Sequence, residues 1–223
     1  MLVIAVDTAT PAVTAGVVDV EEMLVLAQCV TVDAKAHGEL LTPHVLTALA
    51  EAGRTFADVD AIVSGIGPGP FTGLRAGMAT AAALGQALGK PVYPVCTLDA
   101  IAADAGVGSG GPLLVASDAR RKEIYWAAYD ADGRRVAGAA VDRPAAVAER
   151  IPALAVERVA GNGATLYDLG LPHTGQEYPT PLGLAGVARA DVLAGARPRP
   201  FVPMYLRRPD ATEPGARKRV TVR

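Results

Sequence analysis

At 223 residues, 51% hydrophobic and 20% charged, the chain is a globular protein with room for one large domain or two small ones, each burying a core. Its 21 basic and 23 acidic residues leave a net charge of −2, which neither demands nor excludes nucleic acid as a partner. Nothing approaches a membrane span, because the most apolar helical stretch, 76–88, is short and interrupted by Thr80 and Gln86.

The chain opens on three apolar, β-branched runs, 2–7, 12–19 and 23–33, separated by Thr8-Ala9-Thr10-Pro11 and an acidic Glu21-Glu22 turn, which predicts a three-stranded meander. With no basic leader and a carboxylate at Asp7, the first run reads as a strand and not a signal peptide. A helix is expected from His37 to Gly53, with Leu41, Val45, Ala48, Leu49 and Ala52 on one face. Pro43 predicts either a Thr42 cap on a helix starting there or a kink. Then come a strand at 61–65, a glycine loop from Gly67 to Gly77, a helix ending near Gly89, a strand at 92–96 and a short helix from Thr97. The run Gly106-Val107-Gly108-Ser109-Gly110-Gly111-Pro112 is the obvious linker. The two cysteines, Cys29 and Cys96, lie in strand-like runs with no Cys-x-x-Cys spacing and read as a buried, reduced pair in the cytosol.

Beyond the linker the opening recurs. Leu113 to Asp118 lies over Leu2 to Asp7 at an offset of 111, and Ile124 to Tyr129 lies over Val13 to Val18 at the same offset. A duplication would give two α/β lobes, 1–105 and 112–206, with the second about one helix shorter and ending in a helix at 181–194 and a strand at 202–206. Asp7 and Asp118 would then both face the crevice at the carboxyl ends of the strands. The residues 207–223, with six basic side chains against Asp210 and Glu213, read as a flexible basic tail.

The glycine loop fits neither a dinucleotide fingerprint nor a Walker loop, since Thr72 stands where the former needs glycine and no Gly-Lys-Ser/Thr occurs. No metal site is expected: His37 and His44 are separated by about 10.5 Å on a straight helix, too far for one ion. None of the three serines sits in a nucleophile elbow. Asp7 and Asp118 either hold a magnesium-bound phosphate or a polarised water, with Thr8 and Thr10 as hydroxyl donors to an anion, or cap the turns that follow them. Gly73, Gly77, Ala81, Gly85 and Gly89 recur every four residues and form a ridge with almost no side chain, against which another backbone packs closely, either within the fold or from a second chain. Arg75 opposes the dipole of the helix it begins, so it meets a carboxylate on a partner or an anion in the loop, or covers apolar surface with its stem.

Five segments together resemble the bacterial TsaB (YeaZ) proteins: Ile4 to Thr10; His37 to Pro43 with its Leu-Leu-x-Pro; Gly67-Pro68-Gly69-Pro70-Phe71-Thr72-Gly73-Leu74-Arg75-Ala76-Gly77; Asp118-Ala119-Arg120 with Glu123-Ile124-Tyr125; and Tyr205-Leu206-Arg207. The resemblance runs in order over essentially the whole chain. It implies an actin-like, two-lobed α/β fold of duplicated ribonuclease-H-like halves (the ASKHA superfamily), the second half shortened. It further implies a cytoplasmic, non-catalytic subunit that activates a TsaD-type catalytic paralogue in threonylcarbamoylation of the adenosine next to the tRNA anticodon, joined by a TsaE-type ATPase. No cofactor or metal of its own is expected, with ATP and a metal on the partner subunits. Asp7, Thr8 and Asp118 would line a vestigial nucleotide cleft. The association surface would be the two first-lobe helices, through His37, Leu41, Val45 and Leu49 on one and Thr72, Gly73, Arg75, Ala76, Gly77, Thr80, Ala81, Leu84 and Gly85 on the other. The same surface would form a homodimer in isolation, and tRNA contact would be indirect or through the basic tail. TsaD-type His-x-x-x-His is absent, and Pro70 replaces the family's usual serine. Two other readings are a small actin-like kinase using Asp7 and Asp118, with Gly161-Asn162-Gly163 as a weak adenosine site, and a peptidase, for which neither nucleophile nor metal motif is present.

Overall fold

A computed structural model describes residues 1–207. The first three strands, β1 (Leu2–Asp7), β2 (Ala12–Asp19) and β3 (Leu24–Val32), form the antiparallel meander. The chain then crosses through α1 (His37–Glu51) to β4 (Ala61–Gly65), and through α2 (Phe71–Leu88) to β5 (Val92–Val95), so that β4 and β5 run parallel to β1 in the order β3-β2-β1-β4-β5. Helix α1 runs through Pro43 from His37, so Thr42 caps nothing. After α3 (Thr97–Asp104) the pattern repeats with β6 (Leu113–Asp118), β7 (Ile124–Tyr129), β8 (Arg135–Asp142) and β9 (Arg158–Ala160), in the order β8-β7-β6-β9. Two short helices, α4 (Pro144–Ala148) and α5 (Ile151–Leu154), stand where α1 stands in the first half. The offset of 111 is therefore a shared topology, meander followed by a parallel strand beside the first.

Strand periodicity explains the layering. Leu2, Ile4 and Val6 point to the α1 side of the first sheet, where Leu41, Val45, Ala48 and Leu49 meet them. Val3 and Ala5 point to the other side, onto Leu184, Ala185, Ala188 and Val192 of α7 (Pro181–Leu193). This last contact corrects the sequence reading, which put the helix at 181–194 in the second lobe. Its residues complete the first sheet because the chain returns across α3, where Asp104 accepts the Thr180 amide at 2.7 Å and hydroxyl at 2.6 Å. The remaining short helix, α6 (Asn162–Leu166), follows β9.

The expected strand at 202–206 is irregular chain instead, tied to the first sheet by the Met204 amide, which donates to the Ile66 carbonyl at 2.8 Å. Pro200 and Pro203 lack the amide donors that a ladder needs. Arg207, the first residue assigned to the tail, pairs with Glu123 and donates to the Ala119 carbonyl at 3.0 Å. The rest of the predicted tail, 208–223, lies outside the described residues.

Candidate functional site

Helix α2 starts directly after the glycine loop, and its small-residue ridge faces inward. A Cβ at Gly73 would lie 2.6 Å from the Thr8 carbonyl oxygen, one at Gly77 2.2 Å from Thr8 Oγ1, and one at Gly85 2.4 Å from Val92 Cγ2. Thr8 Oγ1 uses that clearance to donate to the Gly73 carbonyl at 2.7 Å. The close-packed neighbour is the chain's own first sheet, so the ridge is not an association surface. The same correction covers His37, Leu41, Val45 and Leu49 of α1, which are buried together with Gly73, Gly77, Ala81 and Gly85. The apolar spacing that selected the α1 residues is the stripe with which an amphipathic helix faces its core.

The outward face of the pair is different. Thr72 and Arg75 are exposed and Ala76, Thr80 and Leu84 half-buried, and beside them Ala79, Ala82, Ala83 and Ala87 of α2 and Leu46 of α1 are exposed. These five were missed in the sequence, although helical periodicity places them opposite the buried ridge. Leu46, 50% exposed, is the largest apolar group there.

Within the fold Arg75 is held by aromatic side chains. Its guanidinium carbon sits 3.5 Å from the centroid of the Phe71 ring, and Nε donates to the Tyr205 hydroxyl at 2.6 Å. The Phe71 and Tyr205 rings stack at 5.2 Å between centroids. Among the described residues no acid pairs with Arg75.

Next to this stack a cavity of ≈ 440 Å³ opens between the lobes, lined among others by Lys35, His37, Phe71, Thr72, Asp118 and Arg120. His37 Nε2 donates to the Thr10 carbonyl at 2.8 Å, which fixes the ring at the cavity wall. Asp118 borders the cavity but is engaged locally, accepting the Arg120 amide at 2.9 Å. Asp7 is only 1% exposed: Oδ1 accepts the Ala9 amide at 2.8 Å and Oδ2 the Thr97 hydroxyl at 2.6 Å. Burial pushes its carboxyl up to about 6, against the opposing hydrogen bonds from Thr97 and Ala9. A carboxyl sealed in this way does not fit a magnesium ion, which demands open oxygen ligands. Asn162, from the weak adenosine candidate, is likewise occupied, its Oδ1 accepting from Ser117 Oγ at 3.1 Å and the Asp118 amide at 3.2 Å. Burial pushes the Cys96 thiol up to about 11, and among the described residues no three His, Cys, Asp or Glu gather as metal ligands.

Comparison with known proteins matches residues 25–203 to the family of TsaD, tRNA N6-adenosine threonylcarbamoyltransferase. The YeaZ structure from Pseudomonas aeruginosa superposes with a TM-score of 0.76 at 30% identity, covering 92% of this chain and 99% of that one. An uncharacterised protein of Mycobacterium tuberculosis is 55% identical over 210 residues, 94% of this chain and 93% of its own. The TsaB protein of Escherichia coli, a tRNA threonylcarbamoyladenosine biosynthesis protein, is 35% identical over 130 residues, 56% of each chain. A protein of Carboxydothermus hydrogenoformans, EutJ, shares the fold alone, with a TM-score of 0.57 at 16% identity. The two sheets with their repeated topology are thus an actin-like ASKHA fold of the TsaD-related class. Within that class, the chain belongs to the TsaB (YeaZ) family. Among the described residues no helix is long and apolar enough to cross a membrane.

Proposed function

We propose that this chain takes part in tRNA threonylcarbamoyladenosine biosynthesis as a non-catalytic, cytoplasmic subunit that binds and activates a TsaD-type catalytic paralogue. The observation that carries this reading is the outer face of α1 and α2, where Ala79, Ala82, Ala83 and Ala87 leave a shallow surface that another helix pair approaches closely. The enclosure of Asp7 supports the absence of catalysis, since the carboxyl best placed for magnesium chemistry is bound to Thr97. ATP and the metal belong to the partners, a TsaE-type ATPase among them, and the tRNA contact is theirs or that of the segment 208–223.

Reconstitution with purified components tests the reading. The chain alone forms no threonylcarbamoyladenosine on tRNA, and adding it to a TsaD-type subunit with its ATPase raises product formation. Equal activity of the partner without this chain overturns it.

A further inference from the structure

We infer that Arg75, held by Phe71 and Tyr205, is a preorganised anchor for a carboxylate on the partner protein, a detail that rests on the association reading above. Helix α2 contains one charged residue, Arg75, which stands exposed in the second turn, where a long side chain is free to stay solvated. The fold nevertheless spends two contacts on fixing it. The Phe71 ring lies beneath the guanidinium at 3.5 Å, and the Tyr205 hydroxyl, brought from the far end of the chain, takes Nε at 2.6 Å.

A guanidinium tethered by its ring contact and by Nε directs its two terminal amino groups away from the tether, in the fork that matches a carboxylate. In most surface arginines that geometry must be frozen on binding, at a cost in side-chain entropy; here it is set in advance. The arrangement is also open. Arg75 is exposed, Phe71 is 37% and Tyr205 39% exposed, and no acid of the described residues reaches the guanidinium. Arginine and tyrosine are the residue types that dominate protein interfaces energetically.

The surroundings select a protein carboxylate over a nucleic-acid phosphate. A phosphate backbone is held by several cations acting together. Arg75 is the one charge on α2, beside neutral Ala76 and Ala79, while Lys35 and Arg120 lie on the wall of the neighbouring cavity and not on the helix face. A single guanidinium among small neutral side chains on a helix face matches a helix carrying one acid among small or apolar residues.

The test measures affinity between the full-length chain and its TsaD-type partner by calorimetry or interferometry, alongside self-association by light scattering. Arg75→Ala weakens partner binding by about tenfold or more. Arg75→Lys, which keeps the charge without the fork, recovers only a minor part, and Tyr205→Phe, which deletes the Nε acceptor alone, gives an intermediate loss. All three keep the wild-type melting temperature to within a few degrees. Wild-type affinity in Arg75→Ala overturns the anchor while leaving the association reading intact; no binding by the wild-type chain removes the association reading itself. A loss confined to self-association, or to tRNA retention in the assembled complex, assigns the anchor elsewhere and also overturns the inference.

Discussion

The hydroxyl of Thr97 closes over Asp7 at 2.6 Å, so that the carboxyl ending the first strand faces the start of α3 and not the open cleft. Burial raises this carboxyl to about 6, and burial raises Asp104, beneath Thr180, to about 6 as well. From the ordinary carboxylate range up to that value, the folded chain holds protons that the unfolded chain has released. The stability they contribute is complete at low pH and is lost as pH rises through about 6. Urea denaturation is expected to show an unfolding free energy that falls from about pH 4 through about pH 6 and levels off above it, with each group contributing at most about 3 kcal/mol over that span. Asp7→Asn removes its share of the slope. An unchanged slope contradicts the assignment.

Because the ridge faces Thr8 and Val92, substitutions there act on folding. Gly77→Ala is expected to cost about 1–3 kcal/mol by overpacking, and Gly77→Leu to leave little folded protein. Circular dichroism during urea titration reads this directly; a fully stable Gly77→Leu chain would mean that the ridge has room it is not shown to have.

The outer face predicts the opposite pattern. Ala83→Arg places a long cation on an exposed helical position, which changes stability by no more than about 0.5 kcal/mol. It is expected to abolish co-elution with the TsaD-type partner and the activation that follows. Co-elution at wild-type level would move the interface away from α2.

At the start of α7, Thr180 both accepts the Gly183 amide and donates to Asp104. Thr180→Ala is expected to destabilise the chain by about 1–2 kcal/mol, the loss of a helix cap together with an orphaned partner for Asp104. Thermal melting at pH 7 measures it, and a cost below about 0.5 kcal/mol would contradict the role of this cap.

Much of the fold was legible in the sequence because the central meander strands are continuous apolar runs and their repeat preserves spacing: β1 and β6 carry the 111-residue offset residue for residue. The site was legible only in part. Periodicity identified which residues of α1 share a face, but Leu41, Val45 and Leu49 share the inward one, and burial, not spacing, decides which face a partner meets. Glycine spacing signalled close backbone approach without naming the neighbour, which proved to be Thr8. The Arg75 partner was out of reach for a different reason, since the Tyr205 hydroxyl is brought to it by tertiary folding from far along the chain.

Helix α7 carries a consequence for synthesis and for fragments. Val3, Ala5 and Val63 are covered by Leu184, Ala188 and Val192, which leave the ribosome only after the whole second sheet has been made. The first half therefore spends most of translation with one side of its sheet bare, a state that favours chaperone capture or aggregation over early, independent folding. Truncation after the first five strands yields an insoluble product on this account, and supplying the 181–193 segment restores solubility.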